Sequence, residues 1–551
     1  MSQPGVLPPT AVRRIAAALR ASLRESYDAS ALRADLMAGI VVGVVALPLS
    51  MALAIASGVA PQHGLYTAIV AGFVVALLGG SAVQVSGPTA AFVVILAPIA
   101  ARFGLGGLLV ATLAAGVILF AMGAAGMGQF IEYVPYPVTT GFTAGIAVVI
   151  GTLQLKDFLG LTVVRMPEHY LERLGALLRA LPTLRLADVS IGILTLAVIA
   201  LWPRVNRRVP AAIVALTIAA LAPLALARSV PGFEVATINT RFSYEVAGVR
   251  HPGIPREPPR PVLPWRLPGP DGAPLRMSLD LLRELMPAAF AIAMLGAIAR
   301  TATNVRSGAR SPLAAVFHSF VVLSAVLLLA PWLGYLPMAS LAALLLVVAW
   351  NMSDSQHFAH LLRVAPRSDV AVLLTCFTLT VVFDMTVSVT AGVLMAALLF
   401  MRRMAEVSGV ELVGEGHPGL EEPLPRGVVL YDIAGPLFFG AAQKAMRSLQ
   451  AMEGRHVRIV ILDVEHVPAI DATGIVALDS LVARLNEGGI KVIVVAIQDQ
   501  PLRALARAGW RNRKGRLRIF RSFERGIALA HRTAAGFPVE RRAPTAPLPG
   551  G

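Results

Sequence analysis

The chain is poor in charged residues. Of its 551 residues, 15% are Asp, Glu, Lys or Arg and 56% are hydrophobic, and the mean hydropathy is +0.71. Soluble globular proteins carry roughly 25% charged residues, so this composition excludes that class and predicts that most of the chain lies in lipid. The net charge is +16, but the basic residues form short clusters between apolar stretches, a pattern typical of membrane topology and not of nucleic-acid binding.

Cysteine is nearly absent too. Cys376 stands alone in an apolar run, which excludes a disulfide framework, a thiolate zinc site and an iron–sulfur cluster. The ten histidines are scattered, and the sequence has no Ser-His-Asp set, carboxylate pair or nucleotide-binding loop. The sequence therefore predicts neither an enzyme nor a protein with a bound cofactor or metal.

Long apolar runs make up the membrane part. No Asp, Glu, Lys or Arg stands between Asp35 and Arg102, and a spanning helix needs about 20 mostly apolar residues. The pattern predicts about twelve spans within residues 34–403, near 35–58, 64–79, 83–101, 105–125, 136–154, 187–203, 208–228, 280–306, 311–330, 336–350, 370–385 and 386–401. An even number of spans places both termini on the same side.

Basic residues give these spans an orientation. Short cytoplasmic loops carry an excess of Lys and Arg, and one set of alternate loops holds the arginines Arg204, Arg207, Arg208, Arg306, Arg310, Arg363, Arg367, Arg402 and Arg403. The opposite short loops hold only Arg102. The tail 1–33 is polar and Arg-rich and lacks the features of a signal peptide. Both termini are therefore expected in the cytoplasm, with the proline-rich loop 229–278 outside.

The composition changes after Arg403. Strand-like runs at 428–433, 457–464 and 491–497 alternate with helical runs at 441–452, 474–486 and 500–508. This alternation predicts a small α/β domain over residues 425–535. The residues 540–551 are rich in Pro and Ala and are expected to form a disordered tail.

One segment of the membrane part has the chemistry of an anion site. In Ser86-Gly87-Pro88-Thr89, a proline suited to the first turn of a helix predicts a helix that begins inside the bilayer. The free N–H groups and the positive dipole end of such a helix need a partner there, which is either an anion or the protein itself. A Gly-Pro kink in an ordinary span is the alternative.

A second segment contains Arg300 and Thr301. Arg300 lies about two turns inward from Arg306, and a cation within a span normally marks a substrate or ion path. Arg300 is therefore the best predicted anion ligand. The alternative is a side chain that snorkels to the cytoplasmic surface.

A strand-to-helix junction in the soluble domain carries Asp471 and Thr473. Asp471 is placed to cap the helix, and Thr473 lies in its first turn, where a phosphate would meet backbone N–H groups. The junction is therefore either a regulatory phosphorylation site or a purely structural cap.

These motifs resemble those of the SulP (sulfate permease) family of anion transporters. The run from Asp35 to Met51, Pro61-Gln-His-Gly-Leu-Tyr66 and Val85-Ser-Gly-Pro-Thr89 look like the opening of that family, and 300–310 and 348–352 look like its later signatures. Ile470-Asp-Ala-Thr-Gly474 resembles the STAS domain, a module shared with anti-sigma-factor antagonists. The long outer loop and residues 432–444 look most like the bacterial branch named for the C4-dicarboxylic acid transporter DauA.

The resemblance implies a transporter of two inverted seven-span repeats in the bacterial inner membrane, with a core domain that moves against a gate domain, a cytoplasmic STAS domain and a homodimeric state. The implied substrate is a small anion, namely sulfate, bicarbonate or a C4-dicarboxylate, moved by exchange or by symport with H⁺ or Na⁺. It would be held between the helix after Ser86–Thr89 and the helix that begins near Arg300. In phosphorylated STAS proteins the acceptor hydroxyl corresponds to Thr473.

One departure from the family's pattern affects this site. The family's eighth span continues into a Glu-Ser-Leu-Leu type sequence, a ninth span and a Gly-rich strand, whereas here Ile298 runs directly into Ala299. About fifty residues of the pattern are absent, as recombination or a sequence-assembly error would produce, and the carboxylate usual at the substrate site is absent with them. Fourteen spans become about twelve, and 280–306 is expected to form one continuous helix.

Two hypotheses stay open on this basis. The first is secondary active transport of a small anion, impaired by the loss of the segment. The second is a transport-deficient, membrane-anchored signalling protein whose STAS domain binds a cytoplasmic partner. Uptake by proteoliposomes separates the two.

Overall fold

The computed structural model describes residues 16–24, 27–81, 84–127, 134–163, 166–167, 169–206, 209–229, 231–246, 248–269, 273–275, 277–297, 311–383, 385–407, 409–413, 419–420, 422–438 and 457–536. The chain divides into two units between Leu394 and Met395. Arg300, Thr301, the junction at Ile298, the predicted helix 441–452 and the expected tail 540–551 lie outside the described residues.

Helices build the first unit, and the last of them continues past Leu394 into the second unit. They are α1 (Ala17–Arg24), α2 (Ala29–Ala56), α3 (Pro61–Leu78), α4 (Ala90–Ala124), α5 (Tyr136–Phe158), α6 (Tyr170–Ala180), α7 (Leu186–Val205), α8 (Ala211–Ser229), α9 (Ile238–Arg241), α10 (Leu279–Ala297), α11 (Leu313–Leu333), α12 (Met338–Ser353), α13 (Ser355–Val364), α14 (Arg367–Val382) and α15 (Met385–Val407). Within the described ranges, eight helical segments are long and apolar enough to cross a membrane. Large apolar side chains such as Phe120 and Trp332 are about three-quarters exposed, as lipid-facing residues are.

The helices correspond closely to the predicted spans. The spans predicted at 83–101 and 105–125 are two arms of α4, which is broken at Gly104, where φ is 68°. The described part of the predicted helix 280–306 is α10. Three amphipathic helices, α1, α6 and α13, were not predicted, because their charged residues interrupt the apolar runs on which the spans were recognised. The predicted class, a polytopic helical membrane protein followed by an α/β domain, is confirmed.

Small residues allow the helices of the first unit to approach closely. A Cβ atom on Gly39 of α2 would lie 2.6 Å from Cβ of Phe317 on α11, and one on Gly43 would lie 2.8 Å from Cβ of Val321. A Cβ on Gly64 of α3 would overlap the carbonyl of Ser50 on α2. Close backbone approach through small residues is the usual means of helix packing in lipid.

The loop 229–278 covers one end of several helices. It contains an antiparallel hairpin of β1 (Ser243–Val246) and β2 (Val249–Pro252). Four hydrogen bonds tie the loop to α3, α4, α7 and α12: Tyr66 Oη to the Glu257 carbonyl at 3.2 Å, Gly106 N to the Pro268 carbonyl at 3.1 Å, Ala236 N to Asp188 Oδ1 at 3.1 Å, and Met338 N to the Ala236 carbonyl at 2.8 Å. These helix ends therefore lie on the same side of the unit.

The second unit is a five-stranded sheet with helices. Its strands are β3 (Gly409–Val413), β4 (Val428–Ala434), β5 (Ile459–Asp463), β6 (Lys491–Val495) and β7 (Leu517–Ile519), in that order across the sheet, and its helices are α16 (Ala472–Glu487), α17 (Asp499–Arg507) and α18 (Phe523–Ala534). β3 pairs antiparallel with β4, and the other pairs are parallel. All five residues of β5 are buried, which explains its unbroken apolar run. The sheet begins upstream of residue 425, because β3 supplies its edge.

Candidate functional site

The chain that follows α3 turns back along that helix. A Cβ atom on Gly72 of α3 would lie 3.3 Å from the carbonyl oxygen of Ser86, and one on Gly87 would lie 3.7 Å from Cα of Ala68. Gly72 and Ala68 belong to the middle turns of α3, not to its ends. Ser86 and Gly87 therefore lie at the depth of the middle of a spanning helix.

Helix α4 begins at this depth. Its first residue is Ala90, and Thr89 is the N-cap, with φ −125° and ψ 134°. The arm from Ala90 to Phe103 has about 14 residues and is about 21 Å long, shorter than the ~30 Å hydrocarbon core. Its far end, at Gly104, packs against the backbone of Gly269 in the covering loop. A helix that reaches the surface at Gly104 thus starts inside the membrane.

The start of α4 is not capped by a side chain. The Thr89 hydroxyl is exposed and donates to the Gly87 carbonyl at 3.3 Å, and no cap hydrogen bond forms. Ser86, Gly87 and Pro88 are half-buried. The prediction that Pro88 occupies the first helical turn is wrong, since the helix starts two residues later. The fixed φ of proline also suits extended chain, and the segment is extended there.

Two further side chains reach this place from α11. A Cβ atom on Gly72 would meet the hydroxyl of Ser319 and would lie 3.4 Å from Cδ2 of His318. Both side chains are at most 3% exposed. Neither residue was predicted from the sequence, although a lone histidine in an apolar span was a usable signal. The structure thus groups Ser86 to Thr89 with α3 and α11.

A buried carboxylate fastens α11 to α2. Asp35 is fully buried and accepts hydrogen bonds from Tyr27 Oη at 2.7 Å, from Ser311 N at 3.1 Å and from the Ser311 hydroxyl. Burial, followed by the hydrogen bond to Asp35, raises the pKa of Tyr27 to about 12. Because Ser311 leads into α11, the latch formed by Tyr27, Asp35 and Ser311 positions that helix against α2.

Helix α10 also ends beside the start of α4. The two helices share an apolar cluster that includes Ala111, Leu285 and Ala293. A Cβ atom on Gly296, in the last turn of α10, would lie 3.8 Å from Cζ of Phe92 in the first turn of α4. The last turn of α10 therefore lies beside the first turn of α4.

The second predicted site lies in the α/β unit. Asp471 is the N-cap of α16 and accepts a hydrogen bond from Gly474 N at 2.7 Å, and Thr473 is half-buried in the first turn. The amide of Gln500 holds the backbone of Ile470 at both its N–H and its carbonyl. This arrangement fixes the start of the helix. In the ranges that the structure covers, no three His, Cys, Asp or Glu side chains form a metal site.

The sequence is similar to those of known proteins. The profile described as "Sulfate permease family" matches residues 32–299 and 285–376, and the STAS domain profile matches 421–524. The chain is 34% identical over 510 residues to the candidate sulfate transporter YvdB of Bacillus subtilis (strain 168), covering 84% of this chain and 91% of YvdB. It is 26% identical over 504 residues to the bicarbonate transporter BicA of Picosynechococcus sp., covering 82% and 86%.

A solved structure shows the same fold. The overall structure of SLC26A9 superposes with a TM-score of 0.74 at 18% identity, and the match covers 95% of this chain and 94% of that one. The profile matches span well over half of the chain and include both the membrane helices and the α/β unit. On the strength of these matches and of the helix start at Thr89, the chain belongs to the sulfate permease family, with a STAS domain at its C-terminal side.

Proposed function

We propose that this protein moves a small anion across the bacterial cytoplasmic membrane by secondary active transport. The observation that carries the proposal is the uncapped start of α4 at the middle of the bilayer. Backbone N–H groups and the positive end of a helix dipole stabilise an anion, and in lipid they need such a partner. The proposed ligands on this side are Ser86, Gly87, Pro88 and Thr89.

Arg300 and Thr301 are proposed to complete the site. They follow Gly296 by only four and five residues, and the last turn of α10 lies beside the first turn of α4. Four residues reach at most about 14 Å even when fully extended. Chain connectivity therefore supports a guanidinium close to the start of α4, where it would supply a charge-assisted contact to the anion.

The proposed substrates are sulfate, bicarbonate and a C4-dicarboxylate. The first two are named for relatives, YvdB and BicA, and the third follows from the resemblance to the DauA branch. Purified protein in proteoliposomes should take up at least one of labelled sulfate, bicarbonate or succinate faster than empty liposomes. Uptake of none of the three would contradict the proposal.

The Thr89 side chain provides a test of the site. Thr89→Val removes an exposed hydroxyl at the start of α4, and loss of a hydrogen bond to a charged group costs about 1.5–3 kcal/mol, or roughly 10- to 100-fold in affinity. Thr112→Val is the matched control, since that hydroxyl donates to the Leu108 carbonyl on the same helix. Arg300→Ala should weaken binding far more than Arg306→Ala. Equal losses within either pair would count against the site.

The missing segment is proposed to reduce transport. The family profile matches in two pieces that overlap at 285–299, where the junction lies. The alignment with YvdB runs over 510 positions but uses 84% of this chain, about 463 residues, so about fifty aligned positions have no residue from this chain. Restoring a relative's segment between Ile298 and Ala299, after resequencing 290–310, should raise uptake several-fold. Equal uptake by the two proteins would refute the proposal.

The proposed orientation places both termini in the cytoplasm. Ser243 is exposed in the hairpin of the covering loop. In a Cys376→Ser background, Ser243→Cys should react with a membrane-impermeant thiol reagent on intact cells. Labelling only after permeabilisation would reverse the orientation.

The protein is also proposed to form homodimers. Light scattering of the purified chain should give twice its mass of 57.9 kDa. A monomeric mass across the working concentration range would contradict this.

Thr473 is the proposed regulatory residue. Thr473→Glu should alter uptake or the binding of a cytoplasmic partner without unfolding the STAS domain, because a negative charge is tolerated at a helix N-terminus. Unchanged uptake and partner binding in a folded variant would leave Asp471 and Thr473 as a structural cap. The relatives named above are described as transporters, which does not favour a purely signalling protein.

A further inference from the structure

His318 is a buried base with an unused lone pair. Its side chain is 1% exposed in the middle of an apolar helix. The imidazole donates a hydrogen bond to the Val42 carbonyl on α2, whereas Nδ1 is buried without a hydrogen-bond partner among the described residues. A neutral ring that donates from one nitrogen carries its lone pair on the other. Nδ1 is therefore an available proton acceptor inside the membrane unit.

The ring of His318 lies next to the chain that leads into α4. The position that a Cβ on Gly72 would take is 3.4 Å from Cδ2 of His318 and 3.3 Å from the carbonyl oxygen of Ser86. Cδ2 of His318 and the carbonyl oxygen of Ser86 are therefore no farther apart than the sum of these two distances. Gly72 allows α3, α11 and the returning chain to pack this closely, because a Cβ at that position would meet the hydroxyl of Ser319.

Charge balance connects the two groups. A proton on Nδ1 would create a buried cation, and an uncompensated charge in a low-dielectric site is costly. An anion held near Ser86 would stabilise that cation, and the imidazolium would in turn stabilise the anion. By linkage, each of the two ligands raises the affinity for the other by the same factor.

We propose that His318 is the proton-binding group of this transporter, and that one proton from water binds Nδ1 whenever an anion occupies the site at Ser86–Thr89. The inference rests on the proposed function and specifies its coupling ion as H⁺. Release of the anion on the other side returns the proton from Nδ1 to water, so that anion and proton move in the same direction.

Other titratable groups on the packed helices are engaged or distant. On α2, Asp35 accepts from Tyr27 and Ser311 and lies two turns before Val42. On α3, His63 and Tyr66 lie near its first turn, well before Gly72. Helix α11 itself carries no other titratable residue between Leu313 and Leu333. Among the described groups on these helices, His318 is therefore the one placed to sense the charge at Ser86.

The test measures protons taken up when an anion binds to the purified full-length protein. Sulfate and succinate are titrated by calorimetry at pH 7.5 in two buffers of different ionisation enthalpy, which gives the number of protons bound per anion. The wild type should take up about one proton, and its affinity should fall about tenfold per pH unit above neutrality. His318→Gln, which keeps a donor for Val42, and His318→Asn should bind with no proton uptake and with pH-independent affinity.

His63→Gln is the control and should behave as the wild type. Proton uptake that persists in folded His318 variants, or anion binding by the wild type without proton uptake, would overturn the inference while leaving anion transport intact. If both His318 variants misfold, the proton count and the pH dependence of the wild type decide the matter. Failure of the wild type to bind either anion at any pH would instead count against the proposed function, and the inference would fall with it.

Discussion

The two units of this protein bury polar groups in different ways. In the membrane unit, hydroxyls pair across helices: Thr195 donates to Ser340 at 2.9 Å and Thr380 donates to Ser388 at 2.8 Å, with all four side chains buried. In the described part of the STAS unit, Asp463 is the one polar side chain that is fully buried, and Val, Ile and Leu fill both faces of the sheet.

The difference follows from the two solvents. In water, burial of apolar surface drives packing, at roughly 25 cal/mol per Å². Between helices in lipid that drive is absent, so close approach through glycine and hydrogen bonds between side chains take its place. The membrane unit therefore depends on small residues and polar latches, and the STAS unit on its apolar layers.

The largest expected effect is in the apolar layers. Leu462 is fully buried in β5, whereas Leu113 on α4 is 59% exposed to lipid. Leu462→Ala should destabilise the STAS unit by about 2–5 kcal/mol, and Leu113→Ala should change stability by less than ~0.5 kcal/mol. Hydrogen exchange of peptides from each unit measures both. Similar losses of stability for the two leucine substitutions would contradict the proposed difference between the two units.

Loss of the Asp35 latch should come next. Asp35→Ala leaves the N–H and hydroxyl of Ser311 without their acceptor, and an unsatisfied buried group costs about 1–3 kcal/mol. Asp280→Ala is the control, because its ion pair with Arg283 is exposed and such pairs contribute little. Thermal unfolding of the purified protein compares them. Equal melting temperatures for the two variants would show that the latch does not stabilise α11.

The cap of α16 should have a smaller effect. Asp471→Ala removes the side-chain acceptor for Gly474 N, and such substitutions cost about 0.5–2 kcal/mol. Asp471→Asn, which keeps an acceptor, should recover most of the stability. Urea unfolding followed by exchange in α16 provides the measurement. A loss with Asn as large as with Ala would contradict a capping role.

The hydroxyl pair between α7 and α12 should contribute least. A double-mutant cycle of Thr195→Val and Ser340→Ala should give a coupling energy of about 0.6 kcal/mol, typical of such pairs in membranes. Unfolding in mixed detergents would measure it. A coupling energy of zero would show that the two hydroxyls fit together without stabilising the helix pair.

A change of pH can test the latch without removing it. The pKa of Tyr27 is raised from 10.0 to about 12, so the neutral phenol is favoured in the folded protein. Its contribution to stability is complete below pH 10 and is lost as the pH rises from 10 to 12. Across that window the melting temperature of the wild type should fall more than that of Tyr27→Phe. If the melting temperatures of the wild type and of Tyr27→Phe fall equally with pH, Tyr27 does not contribute to the stability of the latch.

Much of the fold could be predicted from local patterns. The spans were recognised from apolar length and the α/β unit from alternating strands and helices, because both patterns repeat along the sequence. Helices α1, α6 and α13 were missed because a short amphipathic helix has neither pattern. The break in α4 was anticipated only as a boundary between two spans, whereas the positive φ at Gly104 belongs to its contact with Gly269.

The candidate site was predicted in part. Ser86–Thr89 stood out because a Gly-Pro pair inside an apolar run is a local signal. His318 and Ser319 could not be connected with Ser86 in this way, since more than 200 positions separate α11 from that segment. The contact of Gly72 with Ser86 depends on the return of the chain along α3, which no local pattern signals. Pro88 was assigned to the helix because its φ suits both a first turn and extended chain, and the sequence does not choose between them.

The sequence alone therefore determined the solvent of each unit, the family and the segment that precedes α4, but not the residue at which that helix begins, because composition, motif and helix-breaking residues are properties of neighbouring positions. The tertiary structure decided which distant groups meet: the return of the chain along α3, the fastening of α11 by Asp35, and the approach of His318 to Ser86. Such contacts depend on how closely helices cross, and that distance is set by glycines on one helix and the surface of another, which no single segment encodes.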